Sequence, residues 1–102
     1  MTAYNVVRFR VKPGMEDKFI ASQRKSMEGE MPGSLGGGLI KTGDRTYCFI
    51  GHWNRFEDIV AARPQMIGFL DEVRPLLEDL GNGLGVTDPV SGPTVVEIPA
   101  GH

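Results

Sequence analysis

The sequence predicts an α+β fold in which one four-stranded antiparallel sheet carries helices on one face. Three observations lead to this class. Strand-like stretches occur near the start, in the middle and near the end of the 102-residue chain. Two stretches whose apolar residues recur at helical spacing separate them, and glycine or proline marks most of the boundaries. The predicted order of elements is therefore β-α-β-β-α-β.

The first strand is predicted over Tyr4–Val11, where apolar residues are frequent on both sides of the strand. Successive side chains of a strand point to opposite faces of its sheet, so the segment presents two rows. One row is Asn5, Val7, Phe9 and Val11, and the other is Tyr4, Val6, Arg8 and Arg10.

The first helix is predicted after Lys12-Pro13-Gly14, which breaks the strand. Proline fits the first turn of a helix, because its missing N–H would have no partner there. Apolar residues then recur at helical spacing from Met15 to Met27, with charged residues on the other side. Met31-Pro32-Gly33 ends the element.

Two strands are predicted in the middle of the chain, over Leu35–Thr42 and Thr46–Trp53. Gly43-Asp44-Arg45 between them suits a short hairpin loop. Gly36-Gly37-Gly38 lies inside the first of these strands and not between a strand and a helix. We therefore interpret it as a bulge and not as a phosphate-binding loop.

A second helix is predicted to begin at Asn54, a good capping residue, with Glu57 three positions later. It is expected to run to about Arg63, where Pro64 interrupts it.

Helical spacing of apolar residues resumes from Met66 to Leu80, and Pro75 predicts a kink or a restart inside this run. Gly81 is expected to end it as a left-handed cap. The rest of the chain is predicted as a loop from Gly81 to Pro93, a last strand over Thr94–Ile98 and a frayed end over 99–102. Together the elements predict a ferredoxin-like fold in one domain over 1–102.

Composition and charge limit the classes of partner. Lys and Arg number 11 against 13 Asp and Glu, so the net charge is -2, whereas binding to nucleic acid requires a cationic surplus. No uncharged apolar run is long enough to cross a bilayer, and no signal peptide is recognisable. The single cysteine, Cys48, cannot form an internal disulfide, so a reducing cytoplasmic setting is expected.

Both faces of the predicted sheet are apolar. The strand Thr46–Trp53 carries Tyr47, Phe49 and Trp53 on one side and Cys48 and Ile50 on the other. Helices of this chain can cover only one side, and a large exposed apolar patch is rare on soluble monomers. We therefore expect a homodimer in which two sheets pack face to face about a two-fold axis. The alternative is an aromatic-rich sheet with one solvated face.

Few residues of the chain are candidates for catalysis or metal binding. Cys48 has no basic neighbour in sequence and is expected to be a small buried filler. His52 is the one plausible internal general base, although a structural hydrogen bond is its commoner use. A metal site is not expected, because the other histidine, His102, is far away in sequence.

Two further side chains are candidates for ligand binding. Asn5 is a neutral amide heading an apolar row, so it must find a partner, which could be a ligand oxygen or a neighbouring strand. Trp53 offers a flat wall and one N–H donor, although it could equally be plain core.

Three segments together resemble the antibiotic biosynthesis monooxygenase family of the dimeric α+β barrel superfamily. Asn5–Phe19 is similar to the first strand, the Lys-Pro-Gly turn and the helix start of the family. Trp53–Asp58 is similar to the tryptophan that ends a strand of the family and to the helix that follows it. Phe69–Leu77 is similar to the second half of the family's helical region. The resemblance extends over residues 3–98.

This resemblance implies a dimer whose two sheets form a central barrel, with a pocket between the sheet and the helices of each subunit. Some family members oxygenate phenols or quinols with O₂ and without metal or flavin. Transferred to this chain, Asn5 would bind the developing oxyanion, Trp53 would orient the ring and His52 would accept a proton.

One departure and two alternatives follow. Many relatives carry a histidine on the helix after the tryptophan, where this chain has Ala62 and Arg63, which disfavours the haem-degrading branch that uses it as an iron ligand. The alternatives are a ligand-binding dimer without turnover and an isomerase or lyase acting on a lactone-like acid. The isomerase or lyase would require Arg8, Arg10 or Arg63 in the pocket, where it would pair with the carboxylate of the substrate.

Overall fold

The computed structural model describes residues 1–29 and 31–101, and His102, at the end predicted to fray, lies outside them. The elements in chain order are β1 (Ala3–Arg10), α1 (Glu16–Met27), β2 (Ser34–Gly43), β3 (Thr46–Trp53), α2 (Phe56–Val73), a 3₁₀ turn (Arg74–Leu76) and β4 (Asp88–Pro93). Neither helix in the described part of the chain is long and apolar enough to cross a membrane.

The four strands form one antiparallel sheet in the order β2-β3-β1-β4. This is the ferredoxin-like α+β fold, as the sequence predicts. The strand Thr46–Trp53 has the predicted bounds at both ends. A shift of register occurs between Ser34 and Gly36, so the irregularity lies just before the three glycines and not within them, where β2 pairs regularly with β3.

The second helix differs from the prediction at its start and at Pro64. Arg55, and not Asn54, is the residue before its first turn, and no side chain caps it. The helix also continues through Pro64 without interruption. Proline removes one backbone donor, but Ile59 and Val73 on either side are buried in the core. The apolar face of the helix therefore holds the segment helical across this position.

The predicted helical run to Leu80 is also wrong. The α-helix ends at Val73, Pro75 lies in the 3₁₀ turn, and Leu77 is extended and forms a bridge with Val11. Gly81 does have the left-handed conformation, with φ of 82°, but it lies in the following loop and ends no helix.

The last strand is Asp88–Pro93 and not Thr94–Ile98. It pairs with β1 from Arg8↔Asp88 to Ala3↔Pro93. Two prolines within it argue against a central strand, but β4 is at an edge of the sheet, where donors are needed on one side only. Val95 and Val96 of the predicted strand are exposed.

Two clusters of buried side chains form the core between the sheet and the helices. The first surrounds Phe19 of α1, which is fully buried against Phe9 and Tyr47 of the sheet. The second joins Trp53 at the end of β3 to Ile59 of α2. Burying one such side chain stabilises the fold by roughly 1.5–3 kcal/mol. The two clusters fix α1 and α2 on the same face of the sheet.

The opposite face, here called the outer face, carries neither α1 nor α2. It presents Tyr4, Val6, Ile40, Ile50 and Val90, together with the ion pair between Arg8 and Asp88. In the single chain Ile40 is 48% exposed and Val90 is 62% exposed. This row is thus apolar and open on one side of the sheet.

Candidate functional site

A cleft of about 720 Å³ lies between the sheet and the two helices. Its floor is the inner row of the strands, its walls come from α1 and α2, and β4 closes one side. The apolar surface of the cleft includes Val7, Phe49, Ile59, Met66, Ile67 and Leu70. A cleft of this size and character suits a small, largely apolar ligand.

The polar centre of the cleft is formed by Asn5 of β1 and Trp53 of β3. The indole Nε1 of Trp53 donates a hydrogen bond of 2.7 Å to the Oδ1 of Asn5. Asn5 is 5% exposed and Trp53 is 2% exposed, so the bond is almost shielded from water. Both residues line the cleft. The sequence-based candidates Asn5 and Trp53 are therefore in direct contact.

The hydrogen bond from Trp53 also determines the orientation of the Asn5 amide. Because Nε1 of an indole can only donate, the amide must present its oxygen to Trp53 and its NH₂ group elsewhere. The Nδ2 atom lies 3.8 Å from the sulfur of Met66 on α2. Thioether sulfur is a weak acceptor, so the NH₂ group retains most of its donor capacity.

Gly51 makes the contact between the two side chains possible. It lies opposite Asn5 in the pairing of β1 with β3. A Cβ atom at this position would lie 2.1 Å from Oδ1 of Asn5 and 2.8 Å from Nε1 of Trp53. Any side chain here would therefore displace the amide or the indole.

The charge of the cleft comes from one residue of the described chain. Arg63 of α2 is the single titratable side chain in the lining within residues 1–29 and 31–101. Its guanidinium carbon lies 5.9 Å from the centre of the Phe56 ring, a cation–π distance. No Asp, Glu, His, Lys, Tyr or Cys of these ranges lines the cleft.

His52 is placed on the outer face, away from the cleft. Its ring stacks on Tyr4, with a centroid distance of 4.5 Å and an interplanar angle of 10°. Its Nε2 atom is buried and has no hydrogen-bond partner among the described residues. It precedes Trp53 by one residue, so strand alternation turns the two side chains to opposite faces. The proposed role of His52 as a proton acceptor for the cleft therefore has no geometric support.

Sequence reasoning did not identify Gly51, Met66 or Arg63 as parts of one site with Asn5. Met66 is typical of a helix core position, and Gly51 has no side chain to suggest a role. Arg63 was named as one of three arginines that an isomerase would place in the pocket, but it was not related to Asn5. A signal was available in the helical spacing of Ile59, Arg63, Met66 and Leu70, which puts them on one face of α2.

Comparison with known proteins adds information at the level of structure. No protein-family model matches the chain, and no curated protein matches it in sequence. Solved structures do match it over nearly its whole length.

Three of these structures illustrate the likeness. A variant of SnoaB, a cofactor-independent oxygenase from Streptomyces nogalater, has a TM-score of 0.75 and 17% identity over 96% of this chain and 97% of its own. Rv0793 from Mycobacterium tuberculosis has a TM-score of 0.78 and 12% identity over 97% of this chain and 100% of its own. A provisionally named antibiotic biosynthesis monooxygenase from Chloroflexus aurantiacus J-10-fl has a TM-score of 0.71 and 18% identity over 99% and 100%. The predicted resemblance is thus confirmed as a shared fold.

Proposed function

We propose that the chain is a cofactor-independent monooxygenase of the antibiotic biosynthesis monooxygenase type, acting on a small phenol or quinol with O₂. The observation that carries the proposal is the buried amide of Asn5, which Trp53 holds with its NH₂ group directed to the weak acceptor of Met66 in a largely apolar cleft. A fixed, buried donor of this kind stabilises negative charge on a substrate oxygen. The fold shared with SnoaB, described as a cofactor-independent oxygenase, is in accord with this proposal.

The reaction balances with substrate and O₂ alone. A phenolate gives one electron to O₂, and the resulting radical pair forms a C–O bond at a ring carbon. Loss of water then leaves a second carbonyl, so that phenol and O₂ become quinone and water. The protein has to bind the ring, stabilise the phenolate oxygen through Asn5 and limit the access of water.

The charge content of the cleft narrows the substrate class. No described lining residue is a carboxylate, histidine or lysine, so none can act as a general base. The substrate must therefore lose its proton to solvent. We infer that it is an acidic phenol or quinol, whose oxyanion forms near neutral pH with the help of the Asn5 donor.

The proposal includes a homodimer formed through the outer face. A second copy packed there would cover Ile40 and Val90, which are largely exposed in the single chain. It could also supply a partner for the buried Nε2 of His52, since an unsatisfied buried polar atom costs about 1–3 kcal/mol. A reducing cytoplasmic setting belongs to the same proposal, because Cys48 is unpaired.

A ligand-binding dimer without turnover is the second candidate, and the lack of an acid–base group in the described lining favours it. The isomerase alternative fits less well, because moving a proton between carbon atoms requires such a group. Of its three candidate arginines, Arg63 lines the cleft, whereas Arg8 and Arg10 belong to the row of the outer face.

Oxygen uptake distinguishes the two candidates. Purified protein is mixed under air with a panel of phenols and quinols, and O₂ consumption is recorded alongside quinone absorbance. An oxygenase consumes O₂ faster than the same substrate without protein, with one quinone formed per O₂. Binding of a panel member without any increase in O₂ uptake would support the ligand-binding dimer instead.

A further inference from the structure

Arg63 is an unusual member of the cleft lining. It is exposed at the cleft surface, and no carboxylate of residues 1–29 and 31–101 forms an ion pair with it. By contrast Arg8, Arg45, Arg55 and Arg74 have acidic partners. Arg10 and Arg24 have no such partner among the described residues either, but they do not line the cleft. Its contact is the face of the Phe56 ring. A guanidinium held by a cation–π contact keeps its N–H groups available for a ligand.

The position of Arg63 relates it to the Asn5 donor. It precedes Met66 by three residues on α2, which is a rise of about 4.5 Å along the helix axis. Met66 contacts the Nδ2 atom of Asn5. The guanidinium and the amide thus serve the same cleft, one at its exposed surface and the other at its buried centre.

We propose that Arg63 binds an anionic group of the substrate, and that the preferred substrate is therefore an aromatic carboxylate that also carries a phenol. The proposal rests on the proposed function, because it assigns the substrate class of the same cleft. Arginine binds carboxylates through two parallel N–H···O bonds, and Arg63 is exposed at the cleft surface, where an incoming carboxylate can reach it. The ring would lie along the apolar floor, with its phenol oxygen at Asn5 and its carboxylate at Arg63.

The two groups discriminate between substrates in different ways. Asn5 donates a hydrogen bond to any phenol oxygen, whereas Arg63 contributes binding free energy only for a ligand that carries a negative charge at its other end. A neutral ligand of the same shape leaves the guanidinium hydrated and gains no binding free energy from it. Charge at the far end of the ring is therefore the property that the cleft selects.

Isothermal titration calorimetry with a matched pair of probes tests the proposal. The probes are 6-hydroxy-2-naphthoate and its neutral amide, 6-hydroxy-2-naphthamide, which share the naphthalene ring and its phenolic hydroxyl group. We expect the wild-type protein to bind the carboxylate about tenfold more tightly than the amide, equivalent to about 1.4 kcal/mol. Arg63→Gln should remove this preference and leave amide binding within about twofold. Arg63→Lys should restore part of it, since lysine keeps the charge but not the paired geometry.

Arg24→Gln is the control for net charge. Arg24 is an exposed arginine of α1 next to Gln23, and it does not line the cleft. This variant should keep the wild-type preference. Circular dichroism and the melting temperature establish that each variant is folded.

Three results would overturn the proposal. One is an unchanged preference for the carboxylate in Arg63→Gln, and another is equal loss of that preference in Arg24→Gln. The third is absence of binding of either probe to the wild-type protein. A neutral probe that binds and is oxidised while the carboxylate is rejected would contradict the role of Arg63 but leave the oxygenase proposal standing.

Discussion

The indole of Trp53 donates to the amide oxygen of Asn5 over 2.7 Å, and this bond orients the amide. The bond crosses from β3 to β1 over Gly51, where no side chain intervenes. An unconstrained amide could turn either its oxygen or its NH₂ group into the cleft. With the oxygen held by Trp53, the NH₂ group remains for a ligand, beside the weak acceptor of Met66.

Replacing Asn5 by alanine removes the proposed oxyanion donor. We expect kcat for quinol oxidation to fall by about 10²–10³, the usual effect of deleting one such donor. The measurement is O₂ uptake at saturating substrate. Asn54→Ala changes an exposed asparagine just after β3 and should keep wild-type activity. Equal activity of Asn5→Ala and wild type would exclude Asn5 from the chemistry.

Replacing Trp53 by phenylalanine keeps an aromatic wall but removes the N–H group that orients the amide. One neutral hydrogen bond is worth about 0.5–1.5 kcal/mol, so kcat should fall by about tenfold or less. Steady-state oxygen uptake compares this variant with Asn5→Ala. A larger loss in Trp53→Phe than in Asn5→Ala would mean that the indole acts directly and not through Asn5.

Gly51→Ala should disrupt the same pair without removing either partner. Its Cβ would meet the Asn5 oxygen at 2.1 Å, and overpacking of this kind costs about 1–3 kcal/mol of unfolding free energy. Gly92→Ala in β4 is the matched control, because a Cβ there meets nothing within 4 Å. Urea unfolding of both variants is the measurement. Equal stability of the two would contradict the close approach at Gly51.

The outer face should mediate dimer formation. Ile40→Lys places a charge on it, and Val60→Lys places one on α2, away from the sheet. The two side chains are similarly exposed in the single chain, at 48% and 45%, so the cost to the fold is comparable. Burying an unpaired lysine is unfavourable, so Ile40→Lys should raise the dimer dissociation constant at least about tenfold. Sedimentation equilibrium would contradict the dimer if wild-type protein is monomeric at micromolar concentration.

The carboxylate of Glu16 links α1 to the sheet and should make stability pH-dependent. The hydroxyl of Tyr47 donates to it and Lys41 Nζ lies 3.0 Å from it. The Tyr47 hydrogen bond, followed by Lys41, lowers the pKa of Glu16 below its ordinary value of 4.5. A lowered pKa stabilises the fold above the unfolded-state value, and this contribution disappears as pH falls through the folded-state pKa.

Glu16→Gln should therefore be less stable than wild type at about pH 7, and the difference should be smaller at about pH 3. Asp17→Asn, which also removes an acidic residue from the first turn of α1, is the control, because Asp17 is exposed. Urea unfolding at the two pH values is the measurement. If Glu16→Gln lowers the free energy of unfolding equally at the two pH values, the ionisation of Glu16 does not contribute to stability.

The part of the fold that follows local rules could be predicted from the sequence. Alternation of side chains identified β1 and β3, and it separated the row of Asn5 from the row of Tyr4. The course of α2 through Pro64 could not be predicted, because tertiary burial of Ile59 and Val73 overrides the local cost of proline. The strand Asp88–Pro93 was missed because an edge strand tolerates prolines that a central strand would exclude.

The site was predictable only in part for a related reason. Asn5 and Trp53 were identified one by one, but their contact depends on the register between β1 and β3, which places Asn5 opposite Gly51. Register depends on long-range pairing that no single segment encodes. The face that His52 occupies follows from that of Trp53 by alternation, once the helix-covered face is known.

Proton–nitrogen correlation NMR with 2-naphthol tests the central claim most directly. The side-chain NH₂ signals of Asn5, assigned with Asn5→Asp, report on the donor, and the indole signal of Trp53, the single tryptophan, reports on its partner. The account predicts that 2-naphthol moves the Asn5 NH₂ signals downfield while the Trp53 indole keeps its hydrogen-bonded shift. Binding of 2-naphthol that leaves the Asn5 NH₂ signals unmoved would contradict it.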